Sequence, residues 1–234
     1  MNKKIFIALA VLVLVAMACG INTNVPTPTS NPTSIPNVVP TSGGGVNTSG
    51  SVLYQDNFTD SNSGWPHHQT ANSTMDYASG GYRIYVTTTD LLAFATSGQS
   101  YPTDVSIEVD ATKQGGPDDN YIGVICRYQD SDNFYFFTIS SDGYAGIAMY
   151  KTNTMSILSG SNFGSSTAIN QGAATNHIRA DCIGNTLTLY VNGTQVNSVT
   201  DSTFSSAGDA GLIARANGTA GVDILFSNFV VNKP

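Results

Sequence analysis

The chain has 234 residues, with 9 Lys and Arg against 16 Asp and Glu, and a formal net charge of −7. This acidic balance argues against nucleic acid as a partner, because binding to a phosphate backbone requires a basic surface. Only 11% of the residues are charged, while Gly, Ser, Thr and Asn are abundant. Such a composition is typical of short strands joined by tight turns, and it argues against a helical protein.

The first predicted element, residues 1–18, has the pattern of a secretory signal peptide. Lys3 and Lys4 precede an uncharged apolar run, which is shorter than the ~20 apolar residues that a membrane-spanning helix requires. The small residue Ala18 directly before Cys19 resembles the lipobox of bacterial lipoproteins. The resemblance implies lipidation of Cys19 and attachment to a lipid bilayer in the cell envelope, facing the extracellular or periplasmic side. An ordinary cleaved signal peptide is the alternative.

The second predicted element, residues 19–52, is a disordered tether that begins at the lipidated Cys19. It contains five of the nine prolines, is rich in Thr, Ser, Asn and Gly, and has no charged residue. Such a segment cannot bury enough apolar surface to offset the entropy lost on ordering. Residues 25–40 are expected to be stiffer and polyproline-like, whereas the glycines from Gly43 onward add flexibility.

The third predicted element, residues 53–234, is long enough for a single domain with one core. Without Lys3 and Lys4 the chain has 7 basic and 16 acidic residues, a formal charge of −9. Ten short apolar or alternating runs occur in it, at Tyr82–Val86, Leu91–Ala95, Val105–Ala111, Tyr121–Tyr128, Phe134–Ile139, Tyr144–Tyr150, His177–Ile183, Thr186–Val191, Gly211–Ala216 and Val222–Val231. Turn pairs such as Asp142-Gly143 and Asn192-Gly193 separate several of them. The pattern predicts an all-β, antiparallel sandwich or barrel.

Several segments of this domain resemble one known superfamily. They are Gly123–Tyr128, Asp130–Phe136, Asp142–Tyr144, Asn185–Gly193, the opening Asp56–Asp60 with Gly64-Trp65, and the closing Val222–Val231. Together they resemble a concanavalin A-like, laminin-G-like jelly roll, including a sugar-hydrolase-like domain of unknown function. The resemblance implies a β-sandwich over nearly all of residues 53–234. The superfamily includes lectins, carbohydrate-binding modules, adhesion domains and glycanases, so the fold alone does not decide the activity.

Two cysteines lie within the predicted domain, Cys126 and Cys182. Alternation along their strands places Cys126 with Ile122 and Val124, and Cys182 with Ile178, on apolar faces. Both thiols are therefore expected to point into the core, where an exported protein can form a disulfide. Two buried, reduced cysteines are the alternative, and either state is structural.

The sequence predicts no catalytic residue. Glycanases with this sandwich carry two Glu residues in an E-x-D-x-x-E pattern, because one carboxylate attacks while the other protonates the leaving group. Glu108 and Asp110 share a strand face, but Lys113 occupies the position of the second acid. The histidines His67, His68 and His177 lack a partner set for zinc. We expect Glu108 to be a solvated strand residue, and the protein to be non-catalytic.

Metal binding is predicted to be absent, with one alternative. The acidic clusters Asp118-Asp119-Asn120 and Asp130-Ser131-Asp132 carry the oxygen ligands that Ca²⁺ prefers. Neither matches a defined calcium loop, and Asp residues that form turns explain both clusters. Bound Ca²⁺ therefore stays open, and no other cofactor is expected.

Strand alternation also predicts a ligand-binding surface. If Cys126 faces the core, one outer sheet face carries residues of three successive strands: Tyr121, Arg127, Phe134, Phe136, Tyr144 and Tyr150. Aromatic rings with a few polar groups suit sugar rings, through apolar stacking and hydrogen bonds at the rim. Two alternatives remain. Residues 152–176 could fold over this face and bury it, and a shift of one residue in register would exchange the inward and outward side chains.

These observations predict a surface-displayed, lipid-anchored module that binds an extracellular glycan or polysaccharide without cleaving it. A hydrolase of unconventional glycosides that uses Asp residues is the first alternative, as the sugar-hydrolase resemblance allows. An adhesion or structural module with a protein partner is the second.

Overall fold

The computed structural model describes residues 50–234 of the chain. The predicted signal peptide, the lipidation of Cys19 and nearly all of the predicted tether lie outside the described residues, so they stay predictions. Among residues 50–234, no helix is long and apolar enough to cross a membrane. The first strand begins at Val52, one residue before the predicted start of the domain.

All regular elements in the described part of the chain are strands, as the composition predicts. They are β1 (Val52–Asp56), β2 (His68–Gln69), β3 (Ser73–Ala78), β4 (Gly81–Val86), β5 (Leu92–Thr96), β6 (Val105–Gly115), β7 (Asn120–Asp130), β8 (Asn133–Ile139), β9 (Tyr144–Lys151), β10 (Thr154–Ile157), β11 (Gly164–Ser165), β12 (Thr175–Ile183), β13 (Thr186–Val191), β14 (Thr194–Thr200), β15 (Asp209–Ala216) and β16 (Val222–Asn232). Each of the ten predicted runs forms a strand. The all-β prediction is therefore confirmed.

The strands form two antiparallel sheets that pack as a sandwich. The larger sheet has the order β14-β13-β12-β6-β16-β4-β3-β2, and β1 pairs with β16 beside this path. The smaller sheet has the order β10-β9-β8-β7-β15-β5, and β11 pairs with β9. Because half of the strand pairs join strands that are not consecutive in the chain, the sandwich depends on long-range pairing, as between β6 and β16.

Alternating apolar residues of both sheets fill the space between them, as half-buried strands require. Trp65 is 2% exposed and contacts the rings of Phe58, Tyr82 and Phe229 within this core. Cys126 of β7 and Cys182 of β12 form a disulfide across the interior. The predicted pairing is thus confirmed, and it joins the smaller sheet to the larger one.

Candidate functional site

The outer side of the smaller sheet curves inward, and we call it the concave face. Phe94 on β5 and Phe134 on β8 have ring centroids 5.3 Å apart, although β15 and β7 lie between their strands. On a flat sheet, strands three positions apart are separated by ~14 Å. The contact between these rings indicates a curved sheet whose outward side chains converge.

The floor of the concave face is a second apolar cluster, separate from the core between the sheets. It consists of the buried residues Ile125, Phe134, Phe136, Ala148 and Ile213. Gly123 on β7 leaves no room for a side chain in this floor, because an added Cβ would lie only 1.8 Å from the carbonyl oxygen of Phe137. The floor is packed against its own neighbours, so Phe134 and Phe136 cannot contact a ligand directly.

Accessible aromatic rings surround Phe134 at one end of the concave face. The ring centroids of Phe94, Tyr128 and Tyr150 lie 5.3, 5.7 and 5.6 Å from that of Phe134, and the Tyr150 ring is nearly parallel to it, at 14°. All three are partly exposed. We call Phe94, Tyr128 and Tyr150 the aromatic rim. It offers shallow ring surface rather than a deep pocket.

Arg127 does not lie on the outer face, and its predicted position there is wrong. A β-bulge between Cys126 and Asp130 shifts the register of β7, and Arg127 adopts a φ of 50°. Its side chain is buried and donates hydrogen bonds to the carbonyl oxygens of Thr103, Phe204 and Gly184. These bonds give Arg127 a structural role. Because of the bulge, Tyr128 takes the outward position that alternation assigned to Arg127.

A segment after β9 partly covers the concave face, which is one of the alternatives that the sequence left open. Phe163 contacts Tyr121 edge-on, with centroids 5.1 Å apart. It also lies over Gly146, where an added Cβ would come within 2.1 Å of the Phe163 ring. Tyr121 and Tyr150 lie on this face and pack against the apolar cluster, while Tyr144 is 46% exposed at the beginning of β9. Ligand binding by these tyrosines stays a prediction.

Arg215 of β15 lies on the concave face, two residues along its strand from Ile213, which pairs in register with Phe94 of the aromatic rim. It pairs in register with Tyr121 on one side and Leu92 on the other, and its guanidinium lies 5.5 Å from the centre of the Tyr121 ring. Burial raises the pKa of the Tyr121 phenol, so this hydroxyl stays neutral at physiological pH. Strand alternation gave no signal for Arg215 on this face, because β15 is remote from β7–β9 along the chain.

The outer face of the larger sheet is polar and internally paired. His177 of β12 places Nδ1 2.8 Å from Asp110 and Nε2 3.3 Å from Glu108, both on β6. Asn228 and Asn232 donate further hydrogen bonds to Asp110 and Glu108. Hydrogen bonds that His177 donates to the two carboxylates raise the pKa of His177 to about 9, and the bond with His177 lowers the pKa of Asp110. Glu108 is therefore part of a network, rather than the simply solvated residue that the sequence predicts.

The acidic clusters predicted as alternative Ca²⁺ sites are engaged in local contacts. Asp118 forms an ion pair with Lys113, and Asp119 accepts a hydrogen bond from Asn217. Asp130 accepts hydrogen bonds from the backbone of Asp132 and the side chain of Asn133, as a turn-forming residue does. Within residues 50–234, no group of three or more His, Cys, Asp or Glu side chains has metal-binding geometry. Ca²⁺ binding itself stays untested.

Comparison with known proteins identifies relatives by fold only. No protein-family model and no curated protein matches the sequence. Among solved structures, the carbohydrate-binding module CBM66 of Bacillus subtilis matches with a TM-score of 0.58 and 20% identity, over 73% of this chain and 96% of that one. A Bacillus subtilis protein of unknown function with a galectin-like fold matches with a TM-score of 0.59 and 9% identity, over 79% and 96%.

An enzyme is also among the similar structures. The GlcNAcα1-4Gal-releasing endo-β-galactosidase of Clostridium perfringens matches with a TM-score of 0.55 and 10% identity, over 79% of this chain and 63% of that one. Such identities establish shared architecture and leave the activity to be argued from the site. The described domain therefore has the jelly-roll β-sandwich fold of these solved structures.

Proposed function

We propose that the domain is a non-catalytic glycan-binding module, displayed at the cell surface by a lipidated Cys19 and the tether of residues 19–52. The observation that carries the proposal is the aromatic rim, three partly exposed rings held around the buried Phe134. Sugar rings present apolar C–H faces that stack on such rings, while hydroxyl groups bond at the edge. The fold shared with a carbohydrate-binding module supports this proposal.

The arrangement of acids favours binding over cleavage. A glycosidase requires two carboxyl groups that are available on either side of the scissile bond. Glu108 and Asp110 are both engaged with His177, and they lie on the larger sheet, away from the aromatic rim. Lys113 occupies the position of the second acid in the glycanase pattern, and it forms an ion pair with Asp118.

A polysaccharide array tests this function. The chain from residue 20 onward, which lacks Cys19, would be applied with and without Ca²⁺. Tyr150→Ala and Tyr128→Ala should each weaken binding by about tenfold, which corresponds to the loss of ~1.4 kcal/mol of stacking. Tyr85→Ala is the matched control, because Tyr85 is a partly exposed tyrosine of the larger sheet, paired there with Asp223.

The outcomes separate the candidate functions. Binding that Tyr150→Ala loses and Tyr85→Ala keeps would support the aromatic rim as the site. Sugar release during incubation would instead indicate a hydrolase. A folded protein that binds no polysaccharide would rule out the proposal and direct the search to protein partners.

A further inference from the structure

The concave face contains an arginine whose hydrogen-bonding capacity is mostly unused. Arg215 has a side chain that is only 21% exposed, and Asp90 is its ion-pair partner, at 3.0 Å from Nη2. Nη1 is 4.0 Å from the sulfur of Met155, which is a weak acceptor. Nε is buried and has no acceptor among residues 50–234. A guanidinium group carries five N–H donors, so most of them lack a good acceptor within the described domain.

Two other arginines of the domain show what full pairing requires. Arg83 makes a two-pronged contact with Asp223, with both distances 2.7 Å. Arg127 donates to three backbone carbonyl groups from a buried position. Arg215 has neither arrangement. Its partner Asp90 is 66% exposed, and such a pair contributes little because solvent screens it.

The position of Arg215 relates it to the proposed glycan site. Its neighbour on β7 is Tyr121, which lies four residues, or ~13 Å, along the strand from Ile125 in the apolar floor. The rim residues Tyr128 and Tyr150 lie beyond Ile125, around Phe134, whereas Phe94 of the rim pairs with Ile213, two residues from Arg215 on β15. A bound oligosaccharide that stacks on the rim can therefore extend along the concave face to the guanidinium.

We propose that the concave face selects glycans that carry carboxylate groups, as uronic acid residues do, and that Arg215 binds this carboxylate. The inference rests on the proposed glycan-binding function. A planar carboxylate matches the fork of a guanidinium and can accept hydrogen bonds from both Nη1 and Nη2. The bound sugar acid displaces Asp90 from Nη2. Although the whole domain is acidic, charges more than ~8 Å away are largely screened at physiological salt. The nearby Arg215 cation therefore determines whether a carboxylate is attracted to this face.

Paired polysaccharides test this selectivity. Polygalacturonate, alginate and hyaluronan would each be compared with their methyl-esterified forms, which keep the sugar backbone and remove the charge. The chain from residue 20 onward should bind at least one acid form about tenfold more tightly than its ester, since charge-assisted hydrogen bonds are roughly twice as strong as neutral ones. Equal binding of acid and ester in every pair, or binding of neutral polymers alone, would overturn the inference.

Two substitutions assign the selectivity to Arg215. Arg215→Lys keeps the charge but loses the fork, so it should reduce the preference for acid over ester at least threefold. Asp90→Asn removes the competing carboxylate and should increase affinity for the acid form severalfold. Asp90 has a φ of 61°, a conformation that Asn tolerates, so this variant should fold. Arg83→Lys is the control on the larger sheet.

Each result bears on one proposal or on both. If Tyr150→Ala abolishes binding while acid and ester bind equally, the glycan-binding function stands and carboxylate selection fails. If Arg215→Lys lowers stability but leaves the acid-to-ester ratio unchanged, Arg215 has a structural role only, and the inference fails. If the folded protein binds no polysaccharide at all, both proposals fail.

Discussion

The two outward faces of this sandwich follow the same strand alternation and yet differ in chemistry. On the larger sheet, outward side chains pair with one another in water, as His177 does with Glu108 and Asp110. On the smaller sheet, outward side chains such as Phe134 and Ile125 are buried. The difference shows that a side chain that points outward from a sheet is not necessarily exposed to solvent. A curved sheet can build a second core on its outer side.

The largest difference in stability between the two outward faces is expected when a floor residue is replaced. Phe134→Ala removes a fully buried ring from the concave face, so we expect a loss of ~3–5 kcal/mol of stability, as for a residue of a main core. Tyr85→Ala on the larger sheet's outer face should change stability by only about 0.5 kcal/mol. Urea unfolding of both variants measures the contrast. Equal, small losses would mean that the concave face is not a true core.

A smaller effect is expected where the covering segment meets the concave face. Gly146→Ala places a methyl group against the Phe163 ring, so Phe163 must move, at a cost of ~1–3 kcal/mol. Hydrogen exchange should then show faster exchange in residues 158–165, with little change in β12. If exchange in this segment stays as slow as in the unmodified protein, the neighbouring side chains have accommodated the methyl group. The contact between Phe163 and Gly146 then does not hold the segment in place.

The smallest expected effect concerns the polar face and depends on pH. Folding raises the pKa of His177 from 6.5 to about 9, so the protonated ring contributes stability fully below pH 6.5 and loses it as pH rises through 9. Because 43% of the side chain is exposed, solvent screening limits the contribution to about 1 kcal/mol or less.

Denaturation between pH 6 and pH 10 checks the contribution of His177. The difference in stability between the unmodified protein and His177→Gln should shrink towards high pH. A constant difference over this range would show that His177 is not bound as a cation.

Much of the fold could be predicted from the sequence because apolar alternation is local. Alternation correctly placed Cys126 in the core and Phe134 and Phe136 on the outer side. Among the strands that were missed, β3 and β14 have the sequences STMDYA and TQVNSVT, which contain few alternating apolar residues. They form through pairing with β4 and β13 instead.

The candidate site was less predictable, for two physical reasons. The bulge after Cys126, which adds one residue to β7 relative to β15, reversed the faces of the residues that follow, so that Tyr128 rather than Arg127 points outward. Phe94 and Arg215 come from β5 and β15, which reach the concave face only through long-range pairing. Sheet curvature, which buries Phe134 and Phe136, leaves no signal in the alternation.

The disulfide has a mechanical consequence. Strand β1, which continues from the preceding chain, pairs with β16 in the larger sheet, whereas the concave face belongs to the smaller sheet. A pulling force between residue 52 and a ligand held on the concave face must therefore cross from one sheet to the other. The bond between Cys126 of β7 and Cys182 of β12 provides a covalent path for this force. The sandwich should resist shearing of its sheets under flow better than apolar contacts alone would allow.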